Sequence, residues 1–576
     1  MKYYSLDFNI IHEKTKSQER AYVKGWLLED IYTPDDFYFG DSIDELIEIL
    51  KDLKEENTIY TTNLKVYGEF FFIYLLEHNF ECIRDKLDIK LNTFLPLISD
   101  LGKFYVINIY LNEKRGKYLK TKILDIRNVI DYETEDLCEN FLGEKYIEKT
   151  DIFERLRENA KIIGKVAVKL KEHKLDKMTI GSNALAHYKK MIGNFDFYYP
   201  ELPEETYYYI REAYKGGFCY LTPEYVSKTK GRGIVLDINS AYAERLKNAR
   251  LPIGEGIFYM GKYEENPLYD RYIQRLTCSF KLKEGKLPSI QIRKNLEYDP
   301  GEWIRDSDGD MLTLTLCDID LKLFFENYEI DEDTLKWEDG MMFKSCVGLF
   351  DEYINYWYDL KLKAKKEGNL PLYEISKGML NSLYGKFGTI PKGRSKYPEL
   401  TEEGTIKYIM TPPETRKTVY IPVAAFVTAE TRYKLIKDSE KIMAYTIEKY
   451  GKNLHVYNDT DSLHILLQDE SELKDLIELD KEKLGAYKVE VRFSSGRWLR
   501  QKVYVLNIEK EKKINLKLAG ATKKYRFKGK LVNTRDEVKF SDIKLGTHIS
   551  AGKTKYKHIP GGVVKVQDEY IIGGEE

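Results

Sequence analysis

Val456-Tyr457-Asn458-Asp459-Thr460-Asp461-Ser462-Leu463-His464-Ile465 decides how this chain is read. Apolar and β-prone residues flank a tight polar centre. That pattern predicts strand, turn, strand, with Asp459 and Asp461 at the tip. Two carboxylates one residue apart repel each other, and a divalent cation offsets the repulsion because hard oxygen ligands suit Mg²⁺. An isolated Asp-Thr-Asp is ordinarily a surface Asx turn. Here apolar strands lead in and out, so the turn projects from a core sheet. A metal site there needs a third carboxylate from elsewhere in the chain.

Gly233-Ile234-Val235-Leu236-Asp237-Ile238-Asn239-Ser240-Ala241-Tyr242 offers it. The apolar run predicts a buried strand ending at Asp237, with a helix from Ser240. Alone, Asp237 reads equally well as a cap of that helix. Beside the hairpin, it completes a set able to hold two Mg²⁺ ions about 4 Å apart. Such a pair activates a 3′-hydroxyl and steadies leaving pyrophosphate in phosphoryl transfer.

Two predicted helices lie between these stretches, Phe350 to Lys366 and Glu374 to Phe387. On the second, Lys377, Asn381 and Tyr384 stand at i, i+4 and i+7, on one face. A cation, an amide and an aromatic ring in a row suit a nucleoside triphosphate; the plainer alternative is the polar edge of an amphipathic helix. Tyr214-Lys215-Gly216-Gly217-Phe218 is a turn whose glycines allow close backbone approach. Alternation over Arg497 to Tyr504 predicts one strand with Arg500, Lys502 and Tyr504 on a common face.

The whole chain sets the bounds. Its 576 residues suffice for several domains, and 43% hydrophobic with 32% charged residues describes a globular protein with an ample core. Net charge is −2, so any nucleic-acid affinity rests on local patches. Residues 491–576 form one, with about 20 Lys and Arg against about 9 Asp and Glu. Six scattered cysteines lack zinc spacing and fit reduced thiols in a cytoplasm. No signal-peptide pattern opens the sequence, and the longest apolar run, Phe70 to Leu76, is too short to span a bilayer. The 46 tyrosines can stack on bases, although most belong to ordinary half-buried packing.

Towards the N-terminus, residues 3–9 predict a strand carrying Asp7, residues 43–56 a helix, and Ile59 to Thr62 a strand running into a helix that ends at Leu76. Strands follow over Ile89 to Asn112, then a helix over 151–174 with a basic exposed face. Alternating elements predict an α/β domain over about residues 1–180. Residues 260–350 read as short strands and turns, and 388–420 as a long hairpin-like excursion.

The segments DINSAY, KGMLNSLYG and YNDTDS, in this order, resemble motifs A, B and C of family B DNA polymerases. The likeness extends through YKGGF, GLFDEYINYW, the Lys502 segment and the closing IPGGVV, and is specifically to the protein-primed, phi29-type phage branch. It implies an α/β and α+β multidomain protein. An RNase H-like exonuclease-type domain (1–180) would precede a right-hand polymerase domain (181–576). The latter divides into palm (about 181–250 and 421–525), a first insertion (250–352), fingers (353–388), a second insertion (389–420) and thumb (526–576). The resemblance implies that Asp237 and Asp461, with the Ile238 carbonyl, ligate two Mg²⁺ ions, which Mn²⁺ can replace, and that Asp459 supports them. Tyr242 becomes a steric gate against ribose, stacked beside Tyr384. Lys377, Asn381 and Lys361, with Lys363 as the alternative to Lys361, bind the incoming dNTP. Tyr214, Lys215, Gly216, Gly217, Thr460, Arg500, Lys502 and Tyr504 contact template and primer DNA. The first insertion would dock a terminal protein that serves as primer. The second would support processivity and strand displacement, with a single-stranded-DNA-binding protein as a further partner. A phage-encoded enzyme of this kind works in the bacterial cytoplasm, without a membrane partner. Ala243 stands where the family usually has Pro, a change tolerated in a first helical turn.

The N-terminal region departs further. The family's 3′–5′ exonuclease needs an Asp-x-Glu pair and two more aspartates. This chain has Asp7 but Asn9, Asn63 but Tyr67, and Arg155 with Asn159 where Tyr and Asp are expected. Neutral Asn and Tyr cannot supply the charge two cations require. Glu69 and Asp151 are the nearest substitutes, at the wrong spacing. The expectation is therefore a DNA polymerase without proofreading. Its alternatives are a relative using a nucleic-acid primer and a non-catalytic DNA-binding relic.

Overall fold

The computed structural model describes residues 1–14, 19–291, 303–402, 404–508, 514–518, 524–527, 530–533, 539–559 and 562–572. An N-terminal body is built on an eight-stranded mixed sheet. Its first strand, Lys2–Lys14, pairs antiparallel with Glu19–Asp30 and parallel with Asn57–Thr61, which in turn runs parallel to Lys117–Asp125. The helix Ile152–Glu172 covers the first two strands, and the Asp151 carboxylate caps it by accepting the Glu154 N–H at 2.9 Å. The helix predicted over 43–56 stops at Asp52 instead, because the chain turns with Lys54 in a left-handed conformation (φ 46°) and enters the strand at Asn57.

A second sheet carries the stretches singled out above. The strand Gly233–Ile238 lies between Ser462–Ile465 and Tyr487–Arg500, antiparallel to both. Beyond Ser462–Ile465 come His455–Thr460 and then Phe218–Leu221. The helix Ile421–Tyr450 backs this sheet: Leu435, Ile436 and Ile442 pack with Ile234, Leu236 and Leu463, all fully buried. Each such side chain contributes roughly 1.5–3 kcal/mol. The acidic tip is thus fixed by the core beneath it.

Two antiparallel helices, Asp351–Glu367 and Leu370–Phe387, stand over the same end of the sheet. Gly368 (φ 68°) closes the first, and the Asn369 side chain caps the second at 3.1 Å from the Leu372 N–H. The second helix begins four residues before the predicted Glu374, admitting Pro371 in its first turn, where a missing N–H costs nothing. Residues 251–346 hold a four-stranded antiparallel sheet, more regular than the short strands expected. They include an eleven-residue strand, Lys336–Cys346, and an unforeseen helix, Asp318–Asn327.

The 388–420 excursion is hairpin-like, pairing Lys396–Leu400 with Ile406–Met410. Its Ile406 enters the N-terminal core, with Leu400 and Tyr408 packed alongside. In the C-terminal region His548–Ile559 pairs with Gly562–Ile571, while Pro560 and Gly561 of the closing motif lie outside the described residues. All six cysteines are free. Among the described residues no helix is long and apolar enough to cross a membrane.

Candidate active site

Backbone register brings Asp237, Asp459 and Asp461 to one sheet end. Asp237 lies opposite Ser462 on one side and Lys488 on the other. Asp459 lies opposite Ser462 across the hairpin. Thr460 turns the tip in a left-handed conformation (φ 69°). The Asp461 N–H donates to the Asp459 carbonyl at 2.7 Å, and the Ile238 N–H to the Asp461 carbonyl at 2.9 Å. The hairpin tip is therefore tied to the strand bearing Asp237.

The site is rich in negative charge. Burial, then the charges of Asp237, Asp459 and Glu490, push the Asp461 carboxyl up to about 7. Glu490 occupies a bulge in its strand, opposite Val235 and Leu236, and its own carboxyl is raised by burial and by Asp237. Two lysines offset part of the charge. Lys488 pairs with Asp237 at 2.9 Å and Lys502 with Asp459 at 2.8 Å. Among the described residues no three His, Cys, Asp or Glu side chains form a finished metal cage. The donor set nevertheless fits divalent cations: hard oxygens in excess, one of them on a carboxyl whose ionisation is suppressed by burial and then by its acidic neighbours.

Opposite the carboxylates stands a tyrosine pair. Tyr242, in the first turn of Ala241–Asn248, lies 4.0 Å between ring centroids from Tyr384. Lys361 donates to Ser240 Oγ at 3.1 Å, whereas Lys363 is exposed and faces Glu367 at 3.9 Å. Of the two candidates, Lys361 is the one at the site. Lys377 is half-exposed, 4.0 Å from Glu374, and Asn381 is exposed on the same helix. Gly217 needs its missing side chain: a Cβ would sit 2.7 Å from Thr460 Cγ2 and 3.1 Å from the Tyr242 hydroxyl. Gly216 meets no such obstacle. Its carbonyl and that of Lys215 accept from Arg432, at 2.7 and 3.0 Å. Arg432 is itself buried and paired with Asp320. The Tyr214 ring packs against Gly388, where a Cβ would come within 2.9 Å of it.

The predicted common strand face of Arg500, Lys502 and Tyr504 is not formed. The first strand ends at Arg500, Lys502 occupies a turn with φ 57°, and a new strand starts at Val503. The turn aims Lys502 at Asp459 and bonds its N–H to the Tyr457 hydroxyl at 2.8 Å. Tyr504 instead packs beside Tyr457 and His464, buried. Sequence reasoning also passes over Lys488, Glu490, Arg432 and Cys219. The Cys219 thiol donates to Asp459 at 3.4 Å and is pushed up to about 11, chiefly by burial. Strand register reveals Lys488, Glu490 and Cys219, and the packing of the helix Ile421–Tyr450 against the Lys215–Gly216 turn reveals Arg432.

In the N-terminal body, Asp7, Tyr67, Asn159, Asn9 and Arg155 meet. Tyr67 donates to one Asp7 oxygen at 2.6 Å and Asn159 to the other at 2.9 Å, while Arg155 donates to Asn9. Asn63 accepts from Arg127 at 3.3 Å. Glu69 lies near Lys65 and Tyr408, and Asp151 serves as a helix cap.

A sheet end with three carboxylates, roofed by a two-helix layer bearing lysines and a tyrosine, defines a template-directed nucleotide polymerase of the right-hand class. The chain belongs to DNA polymerase type B, organellar and viral, a family that matches residues 24–476. It is similar to the DNA polymerase of Bacillus phage phi29, 31% identical over 99% of both chains. It is also similar to those of Bacillus phage B103 (30%, 99% of both) and Streptococcus phage Cp-1 (26%, 99% of this chain and 98% of that one). The solved ternary complex of phi29 DNA polymerase, with primer-template DNA and incoming nucleotide, aligns at TM-score 0.87 and 28% identity, covering 99% of this chain and all of that one. This chain is accordingly a DNA-directed DNA polymerase.

Proposed function

We propose that this polymerase starts synthesis on a terminal protein, extends with displacement of the non-template strand, and does not proofread. The gathering of Asp237, Asp459 and Asp461 at one sheet end, facing Lys361, Lys377, Tyr242 and Tyr384, carries the reading of its active site. Asp237, Asp461 and the Ile238 carbonyl would hold two Mg²⁺ ions, or Mn²⁺, which supply activation of the primer 3′-hydroxyl and neutralisation of leaving pyrophosphate. Lys361 and Lys377 bind the triphosphate, with Asn381 beside them. Tyr384 supports the base and sugar, and the Tyr242 ring fills the space a 2′-hydroxyl would need. Lys502, held at the hairpin tip, steadies the primer end with Arg500. Tyr504 acts through Tyr457 from its buried position. The loop Tyr214–Gly217, with Thr460, follows the template.

Strand displacement is assigned to the second insertion. Between it and the N-terminal sheet lies a cavity of about 1080 Å³ whose lining includes Arg84, Lys120, Lys122, Lys177, Lys386 and Arg416. Asp85, Asp176 and Glu414 also line it, but the basic side chains outnumber them, and such a net-basic passage would suit a phosphate backbone. Priming by a terminal protein, docked on the first insertion, is supported by full-length similarity to the phi29-type enzymes, as is cooperation with a single-stranded-DNA-binding protein. Loss of proofreading is supported by Asp7, whose oxygens are taken up by Tyr67 and Asn159.

The test is Asp461→Asn in a primer-extension assay titrated with Mg²⁺. Extension is expected to vanish while DNA binding persists, since one charge is removed and little shape. Extension at the wild-type rate would overturn the assignment. Replacing the oligonucleotide primer by a terminal protein from the same genome, and finding no protein–nucleotide adduct, would overturn protein priming alone.

A further inference from the structure

Three ammonium groups converge near Asp237 from three separate elements. Lys361 comes from Asp351–Glu367, Lys377 from Leu370–Phe387, and Lys488 from the palm strand Tyr487–Arg500. Lys488 pairs with Asp237 Oδ2 at 2.9 Å, yet 34% of its side chain is exposed. After burial, Lys488 is the strongest influence holding the Lys361 ammonium down, and Lys377 the next. Glu490 feels Lys488, then Lys517 from another strand of the sheet, then Lys377. Like charges gathered this closely repel. They make chemical sense where a polyanion will lie among them.

We propose that Lys488 is a third phosphate-binding lysine of the nucleotide site, parked on Asp237 until the triphosphate arrives. The proposal rests on the active-site reading above. A divalent cation on Asp237 repels the ammonium and competes with it for the carboxylate, which favours release of Lys488 from Oδ2 in the working state. Its flexible four-carbon stem permits that swing. Its strand position, opposite Asp237, keeps the ammonium over the sheet end where Lys361 reaches Ser240. The anions then within its reach are Glu490, whose ionisation burial disfavours, and the triphosphate. A lysine serving only as counter-ion to Asp237 would have no task once a cation is bound.

The experiment uses the full-length enzyme on a primer–template with a dideoxy-terminated primer, so that dNTP binding is read without reaction. Equilibrium titration of the matched dNTP in Mg²⁺ is expected to give a Kd raised about tenfold in Lys488→Met, the loss of one charge-assisted hydrogen bond. Lys488→Arg, which keeps the charge, should recover most of that loss. Mn²⁺ affinity of the nucleotide-free complex, read by electron paramagnetic resonance, should be equal or tighter in Lys488→Met, because a competitor for Asp237 is gone. Wild-type dNTP affinity in Lys488→Met overturns the proposal, as does a Kd raised equally in Lys488→Arg. Primer extension by Asp461→Asn, assayed in parallel, separates the two levels. An active Asp461→Asn enzyme defeats the two-cation reading itself. An inactive one, beside Lys488→Met with unchanged dNTP affinity, defeats only the role of the lysine.

Discussion

Tyr67 and Asp7 are joined by a buried hydrogen bond of 2.6 Å, in which the phenol donates to a carboxylate oxygen. Asn159 donates to the other oxygen at 2.9 Å. Burial raises the Asp7 carboxyl above its ordinary range, and the two donors pull it back. A carboxylate so enclosed has become part of the packing. The enzyme is expected to leave 5′-labelled single-stranded DNA intact in Mg²⁺ or Mn²⁺, in a preparation that extends primers well. Asp7→Ala should then act on stability. Two buried donors lose their acceptor, at a cost of about 2 kcal/mol, visible as earlier melting of the N-terminal body. Stepwise shortening of DNA that disappears in Asp7→Ala would show a live nuclease instead.

Sugar selection should follow the ring of Tyr242. Its centroid lies 4.0 Å from that of Tyr384, and its hydroxyl lies against the backbone at Gly217. It is therefore boxed in and cannot easily step aside for a 2′-hydroxyl. Tyr242→Val should lower discrimination against ribonucleotides by about 1–3 kcal/mol, measured as the ratio of kcat/KM for dNTP and rNTP. Tyr242→Phe keeps the ring and should keep the discrimination. Unchanged ratios in the valine variant would remove Tyr242 from this role.

Nucleotide binding should carry a pH dependence from Lys361. Burial, then Lys488 and Lys377, lower its ammonium to about 8. Below that value the group is cationic and binds phosphate readily. As pH rises through 8 it loses its proton, and binding must first restore it. The dNTP Kd should therefore climb between about pH 7.5 and 9. Lys361→Arg should flatten the climb, because a guanidinium stays charged. Lys361→Ala should raise Kd about tenfold at neutral pH, while exposed Lys363→Ala changes it by about twofold at most. The opposite ranking would move the assignment to Lys363.

The strand–turn–strand of 455–465 was legible because its alternation is strong and its polar tip is short. The central strand and the tyrosine-bearing helix were legible for similar reasons. The helix Ile421–Tyr450 was not. It is buried on several sides, so apolar residues surround it and leave little amphipathic period to detect. The turn at Lys502 hid because a single non-glycine residue at positive φ leaves no mark in residue type. Lys361 was preferred to Lys363 on its match to the family alone, since spacing puts the two on different sides of a helix without saying which side looks inward. Lys488, Glu490 and Cys219 depend on how distant strands align, and alignment is set by the core beneath Asp237.

Duplex opening should depend on docking of the second insertion. Its hairpin is anchored by Ile406, 6% exposed in the N-terminal core, and by the Tyr408 ring, 6.2 Å from that of Phe104. Arg84 adds a looser hold, 5.6 Å over the Tyr397 ring and 4.0 Å from Glu399. A charge at Ile406 cannot stay buried without a partner, so Ile406→Asp should detach the hairpin at a cost of about 2–4 kcal/mol to docking. The basic passage would then lose one wall. Gap filling, where the template is already single-stranded, needs only the active site and should fall little. Synthesis through a duplex, whose strands must be parted, should fall at least about tenfold more. Deleting residues 390–418 should give the same pattern, with added instability from the uncovered apolar surface. If Ile406→Asp slows gap filling and strand displacement equally, while melting of the N-terminal body is unchanged, the insertion has no special part in opening duplex.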